Sequence, residues 1–88
     1  MLKEQQIFLD QLAAGSRAVV SELQGGRGFA SRLAGMGISV GCQIEMLQNP
    51  AHGPLLVRVR DTRIALGRGE ASKIVVRESE QGQSDAAE

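Results

Sequence analysis

The chain has one cysteine, Cys42, and one histidine, His52. These are the two side chains best suited to nucleophilic chemistry or to a transition metal. A metal held by both would need further ligands from Glu45 or Asp61, and the spacing matches no recognisable zinc or iron arrangement. Cys42 also falls in phase with Ile44 and Met46, so it reads as a small buried hydrophobe. His52 lies in the polar stretch Gln48 to Pro54 and reads as exposed. Glu22, Glu45, Asp61 and Glu70 are scattered, and pattern alone places no pair of them for general acid and base work. The glycine-rich Gly25-Gly26-Arg27-Gly28 lacks the Gly-Lys-Ser/Thr ending of a phosphate loop and the spacing of a dinucleotide fingerprint, so it reads as a flexible turn before a helix. No catalytic residue, metal site or cofactor is assigned, and the chain is not read as an enzyme. Arg58, Arg60, Arg63 and Arg68 form a basic run. It reads as a solvated strand face that discourages edge pairing, with an acidic-partner patch as the other reading.

The elements that must carry these residues are short. Eleven glycines punctuate β-branched runs of four to six residues, a pattern of strands joined by tight turns. Ser16 to Leu23 is the first strand, by its Val19-Val20 content. Phe29, Leu33 and Met36 then fall at i, i+4 and i+7 with no β-branched residue between them, which predicts a short helix with one apolar stripe. Gly35 and Gly37 close it, because a left-handed residue after the last turn costs glycine least. In Cys42 to Leu47 the apolar Cys42, Ile44 and Met46 alternate with Gln43 and Glu45. Gln48 to Pro54 holds both prolines and reads as a loop. Leu55, Val57 and Val59 form the inner face of the next strand, running to Arg60. Asp61-Thr62 is the expected turn into Arg63 to Leu66, although threonine suits a hairpin turn poorly. A single helical turn within Gly67 to Ser72 leads to a last strand, Lys73 to Arg77. Before all of these, Ile7, Phe8, Leu9 and Leu12 predict a helical turn that plugs one end of the fold. Five or so short strands with little helix favour a small closed or partly closed barrel, since closure removes exposed edges.

Composition excludes several partner classes. Ten Lys and Arg against ten Asp and Glu leave no net charge, so nothing draws the whole molecule to nucleic acid or an anionic membrane. Phe8 and Phe29 are the only aromatics, too few for a base-stacking platform or a polyproline groove. One cysteine allows no internal disulfide and fits a reducing compartment. The first six residues are too polar for a signal peptide, and no apolar run approaches the roughly 18 residues that span a bilayer. The expectation is a cytoplasmic single domain over residues 1–78. Residues 79–88 hold no large apolar side chain and are expected to be a disordered tail.

Taken together, several segments resemble the FeoA family, the ferrous iron transport protein A. They are Leu9-x-x-Leu12-x-x-Gly15, then Arg32-Leu33-x-x-Met36-Gly37-Ile38-x-x-Gly41-x-x-Ile44, then Gly53-Pro54-Leu55, and lastly Ile64-Ala65-Leu66-Gly67 with Ala71-x-x-Ile74-x-Val76. The resemblance runs from about residue 7 to about residue 77, and its Arg-Leu-x-x-Met-Gly segment is the most specific part. It implies a mainly β, SH3-like barrel of about five strands with an inserted helical segment. It also implies a non-enzymatic cytoplasmic accessory of the ferrous iron permease FeoB, reaching the membrane only through that permease. A homodimer is compatible with this reading. Asp61-Thr62 departs from the family, which often has a glycine at that turn. The second reading is a free-standing module related to the C-terminal domain of metal-dependent transcriptional repressors, making regulatory protein contacts. For the partner surface, the inserted helix commits Leu33 and Met36 to the core and leaves Arg27, Phe29, Ser31 and Arg32 as candidates for display. Phe29 belongs to both sets, because it also shares the stripe's spacing.

Overall fold

The computed structural model describes residues 5–79. Six strands form one antiparallel sheet: β1 (Gln6–Phe8), β2 (Arg17–Leu23), β3 (Gln43–Gln48), β4 (Leu55–Val59), β5 (Thr62–Leu66) and β6 (Ile74–Glu78). Their spatial order is β1-β6-β2-β3-β4-β5. A 3-10 turn, Leu9–Gln11, follows β1, and helices α1 (Gly26–Gly35) and α2 (Arg68–Ala71) follow β2 and β5. The mainly β architecture agrees with the expected small barrel, and the strand it adds is β1.

The N-terminal helical turn is therefore only partly as expected. Gln6, Ile7 and Phe8 pair with Arg77, Val76 and Val75 of β6, and the helical part begins only at Leu9. Three residues are too few to show a period, which is why their alternation was not visible. The plug itself is present, since Leu9 and Leu12 are fully buried.

Alternation sets the core elsewhere. Ala18 and Val20, Ile44 and Met46, Leu55, Val57 and Val59, Ile64 and Leu66, and Ile74 and Val76 all turn into one apolar cluster with Phe29, Leu33 and Ile38. In β2 the phase changes midway. Val20 pairs with Val76 and Glu22 with Val75, so Ser21 is an extra residue, a bulge whose hydroxyl donates to Val75 O at 3.2 Å. The bulge advances the alternation by one. Leu23, and not Glu22, then packs against the core.

Two chain reversals bear on the site. Helix α1 ends where Gly37 N–H donates to Ala34 O and Ile38 N–H to Leu33 O, with Gly37 at φ +96°. This paired closure needs a left-handed residue, and it carries Ile38 back into the core. The β4–β5 turn lies one residue earlier than expected. Val59 pairs with Thr62, so the turn residues are Arg60 and Asp61 and Thr62 belongs to the strand. Threonine escapes the turn, but Arg60 takes φ +60°, a conformation costing a non-glycine residue roughly 1–2 kcal/mol.

Candidate functional site

Helix α1 is fixed on its inner side by its apolar stripe. Leu33 is fully buried, Phe29 is 9% exposed, and Met36 packs half-buried against the same cluster. Of the four residues expected on display, Arg27, Ser31 and Arg32 are exposed. Phe29 is not: the i, i+4 spacing with Leu33 that linked it to the stripe prevails. Gly25 makes room for it, since a Cβ at Gly25 would collide with the Phe29 ring. The Arg32 guanidinium and the Lys73 ammonium each lie over that ring, at 5.8 Å and 5.7 Å from its centroid, within the range of cation–π attraction.

Arg32 has a second task. Its Nη2 meets Glu70 Oε2 at 2.8 Å, while the other carboxylate oxygen of Glu70 accepts the Gly67 N–H at 3.1 Å. One carboxylate thus caps α2 and ties it to α1. Arg27 lies in the first turn of α1, where no acidic residue stands and where the helix dipole disfavours a cation.

The basic run divides by location. Arg68 turns away from the strand face and clasps the 49–54 loop, donating to Asn49 Oδ1 at 2.7 Å and Pro50 O at 3.1 Å. Asn49 Nδ2 in turn donates to Asp10 O and Leu12 O. Arg58 and Arg63 remain on the outer face, opposite one another on β4 and β5. Glu45 faces Arg58 from β3 and Arg17 faces Glu45 from β2, so four strands contribute one transverse row: Arg17, Glu45, Arg58, Arg63. The carboxylate of Glu45 reaches Arg58 at 3.9 Å, the long limit of an ion pair. An open groove of about 440 Å³ adjoins the row, with Arg17, Glu45, Arg58 and Arg60 in its walls.

Cys42 borders that groove and is half-buried, not fully buried as its phase suggested, packing against the edge of the core. His52 is exposed in the loop. Among the described residues, no three His, Cys, Asp or Glu side chains gather where they could hold a metal ion. Among the same residues no helix is long and apolar enough to cross a membrane. The Asn49–Arg68 clasp was not foreseen. Its partners lie 19 to 39 residues apart, and nothing local announces such a contact.

The model of the FeoA domain matches residues 7–78. The chain belongs to the FeoA family. It is 35% identical to the putative Fe(2+) transport protein A of Methanocaldococcus jannaschii over 68 residues, 77% of this chain and 82% of that protein. A solved FeoA of Stenotrophomonas maltophilia, complexed with zinc and described as an SH3 domain protein, is 36% identical with a TM-score of 0.68, covering 80% of this chain and 88% of that one. A manganese-dependent transcriptional repressor shares the fold, with a TM-score of 0.77 at 19% identity over 89% of this chain and 44% of the repressor. The FeoA family is one of iron transport accessories and not of enzymes. The SH3-like, mainly β fold and the non-enzymatic reading therefore hold for this FeoA-family chain.

Proposed function

We propose that this FeoA-family chain acts in the cytoplasm as an accessory of ferrous iron uptake and binds the cytoplasmic part of the FeoB permease. The contact is assigned to the outer face of α1, where Arg27 and Ser31 stand exposed beside Arg32. The observation that carries this reading is Arg27: a cation in the first turn of a helix with no acidic neighbour there opposes the helix dipole, so folding gains nothing from it. Phe29 supports the face from beneath and touches no partner.

The test is co-purification with the permease from detergent at two salt concentrations, using the native chain and Arg27→Glu. The native chain is expected to co-purify at low salt and less at high salt, since an arginine-led contact is screened. Arg27→Glu is expected to lose the association while melting no lower than the native chain, and slightly higher if anything, since a carboxylate in the first turn suits the helix dipole. Unchanged co-purification by Arg27→Glu would remove α1 from the interface. Normal growth on limiting ferrous iron in a strain lacking this chain would remove the uptake role altogether. In that event the repressor-related reading takes its place, because the shared fold with a manganese-dependent repressor is the observation on its side.

A further inference from the structure

The groove beside the transverse row is built from residues that folding gives little reason to choose. Arg17 enters it from β2, Arg58 from β4 and Arg60 from the β4–β5 turn. Arg58 is directly opposed by Arg63 on β5, and like charges facing one another destabilise a sheet. Arg60 is held at φ +60°, a conformation that glycine or asparagine takes more readily. Both choices weigh against stability, and both bring an arginine to the same groove.

The acidic side of the groove is sparse. Glu45 is the carboxylate in its walls, and it reaches Arg58 only at 3.9 Å, leaving the Arg58 side chain 43% exposed. Among the described residues Arg17 and Arg60 enter no ion pair. Three arginines against one carboxylate leave the groove positive. Arg17 and Arg58 both face Glu45, one from each side, so they stand two strand intervals apart, roughly 10 Å at about 4.8 Å each. Charges spread over that span are met better by carboxylates spaced along one extended chain than by a single compact anion.

The geometry points to an extended acidic segment of another polypeptide as the occupant of this groove, with its carboxylates received by Arg17, Arg58 and Arg60. Arginine suits the task, because its planar fork meets a carboxylate with two parallel hydrogen bonds. Glu45 repels any carboxylate laid over it, so it limits the affinity and favours partners that do not crowd the middle of the row. This surface lies on the sheet and is independent of the permease contact assigned to α1, and its test needs no permease.

The probe is an acetylated, amidated hexaglutamate peptide, titrated into the purified chain while backbone amide signals are followed. At about 0.1 M ionic strength, where charges beyond roughly 10 Å are screened, the amides of Gln43, Glu45, Arg58 and Arg60 are expected to move and those of α1 to stay in place. Binding should vanish at about 1 M, where the screening length is about 3 Å. Arg58→Gln should weaken it roughly tenfold, the loss of one charge-assisted hydrogen bond, whereas Glu45→Gln should tighten it. Arg60→Gly separates the ligand role from folding: glycine accepts φ +60° freely, so this variant should melt no lower than the native chain and yet bind more weakly. Arg27→Glu removes more charge than Arg58→Gln but should cost less affinity. Shifts centred on α1, native binding by Arg60→Gly, weaker binding by Glu45→Gln, or an Arg27→Glu loss as large as that of Arg58→Gln would each overturn the proposal. So would inorganic pyrophosphate binding the groove as tightly as the peptide, since the occupant would then be a compact anion.

Discussion

Helix α1 and the 49–54 loop are both held against the sheet, and by opposite means. The helix is anchored from below by Phe29 and Leu33, with one ion pair to Glu70 at its rim. The loop has no such stripe. It hangs on a polar hub in which Asn49 serves two backbone carbonyls and Arg68 serves Asn49. Apolar anchorage tolerates small shifts, because burial has no direction. A hydrogen-bonded hub does not, since each unmet partner costs the desolvation of a polar group.

The contrast can be broken most severely at Phe29. Phe29→Ala should cost roughly 3 kcal/mol, near the low end for a core aromatic because the ring lies at the margin of the core; thermal melting would register it, and an unchanged melt would mean α1 does not depend on its stripe. Asn49→Ala should follow at about 2 kcal/mol, the cost of leaving part-buried carbonyls and the Arg68 fork without their partner. Here amide exchange at the 49–54 loop should accelerate well before the strands respond. Gly25→Ala forces its new methyl into the Phe29 ring and should cost about 1–2 kcal/mol as overpacking, again read from the melt. Arg68→Lys keeps the charge but not the planar fork, and about 1 kcal/mol is expected in denaturant unfolding, with the loss confined to the clasp. Arg32→Gln is the mildest: its side chain is 56% exposed, so only a few tenths of a kcal/mol should go, and less in high salt.

The same contrast explains what could be read beforehand. The stripe of α1 and the alternation of Leu55, Val57 and Val59 repeat within a few residues, so periodicity exposes them. The β4–β5 turn was misplaced by one residue because strand composition is continuous through Val59 and Thr62, and only the pairing fixes where the ladder closes. Strand β1 is too short for a period. Of the candidate surface, Arg27, Ser31 and Arg32 could be located by helix geometry alone. Phe29 falls beneath them by the same geometry, one turn after Gly25 and one turn before Leu33. The Asn49–Arg68 hub and the arginine row assembled from four strands are instead products of pairing between distant segments.

The strand order has a consequence for how the molecule comes into being. The central strand β2 lies between β6 and β3, and its pairing with β6 joins residues as far apart as Ala18 and Glu78. A growing polypeptide therefore cannot complete its sheet until Ile74–Glu78 has cleared the ribosome, and until then β2 offers one unpaired side to its surroundings. So non-local a topology should fold over milliseconds or longer, more slowly than a helical protein of equal size.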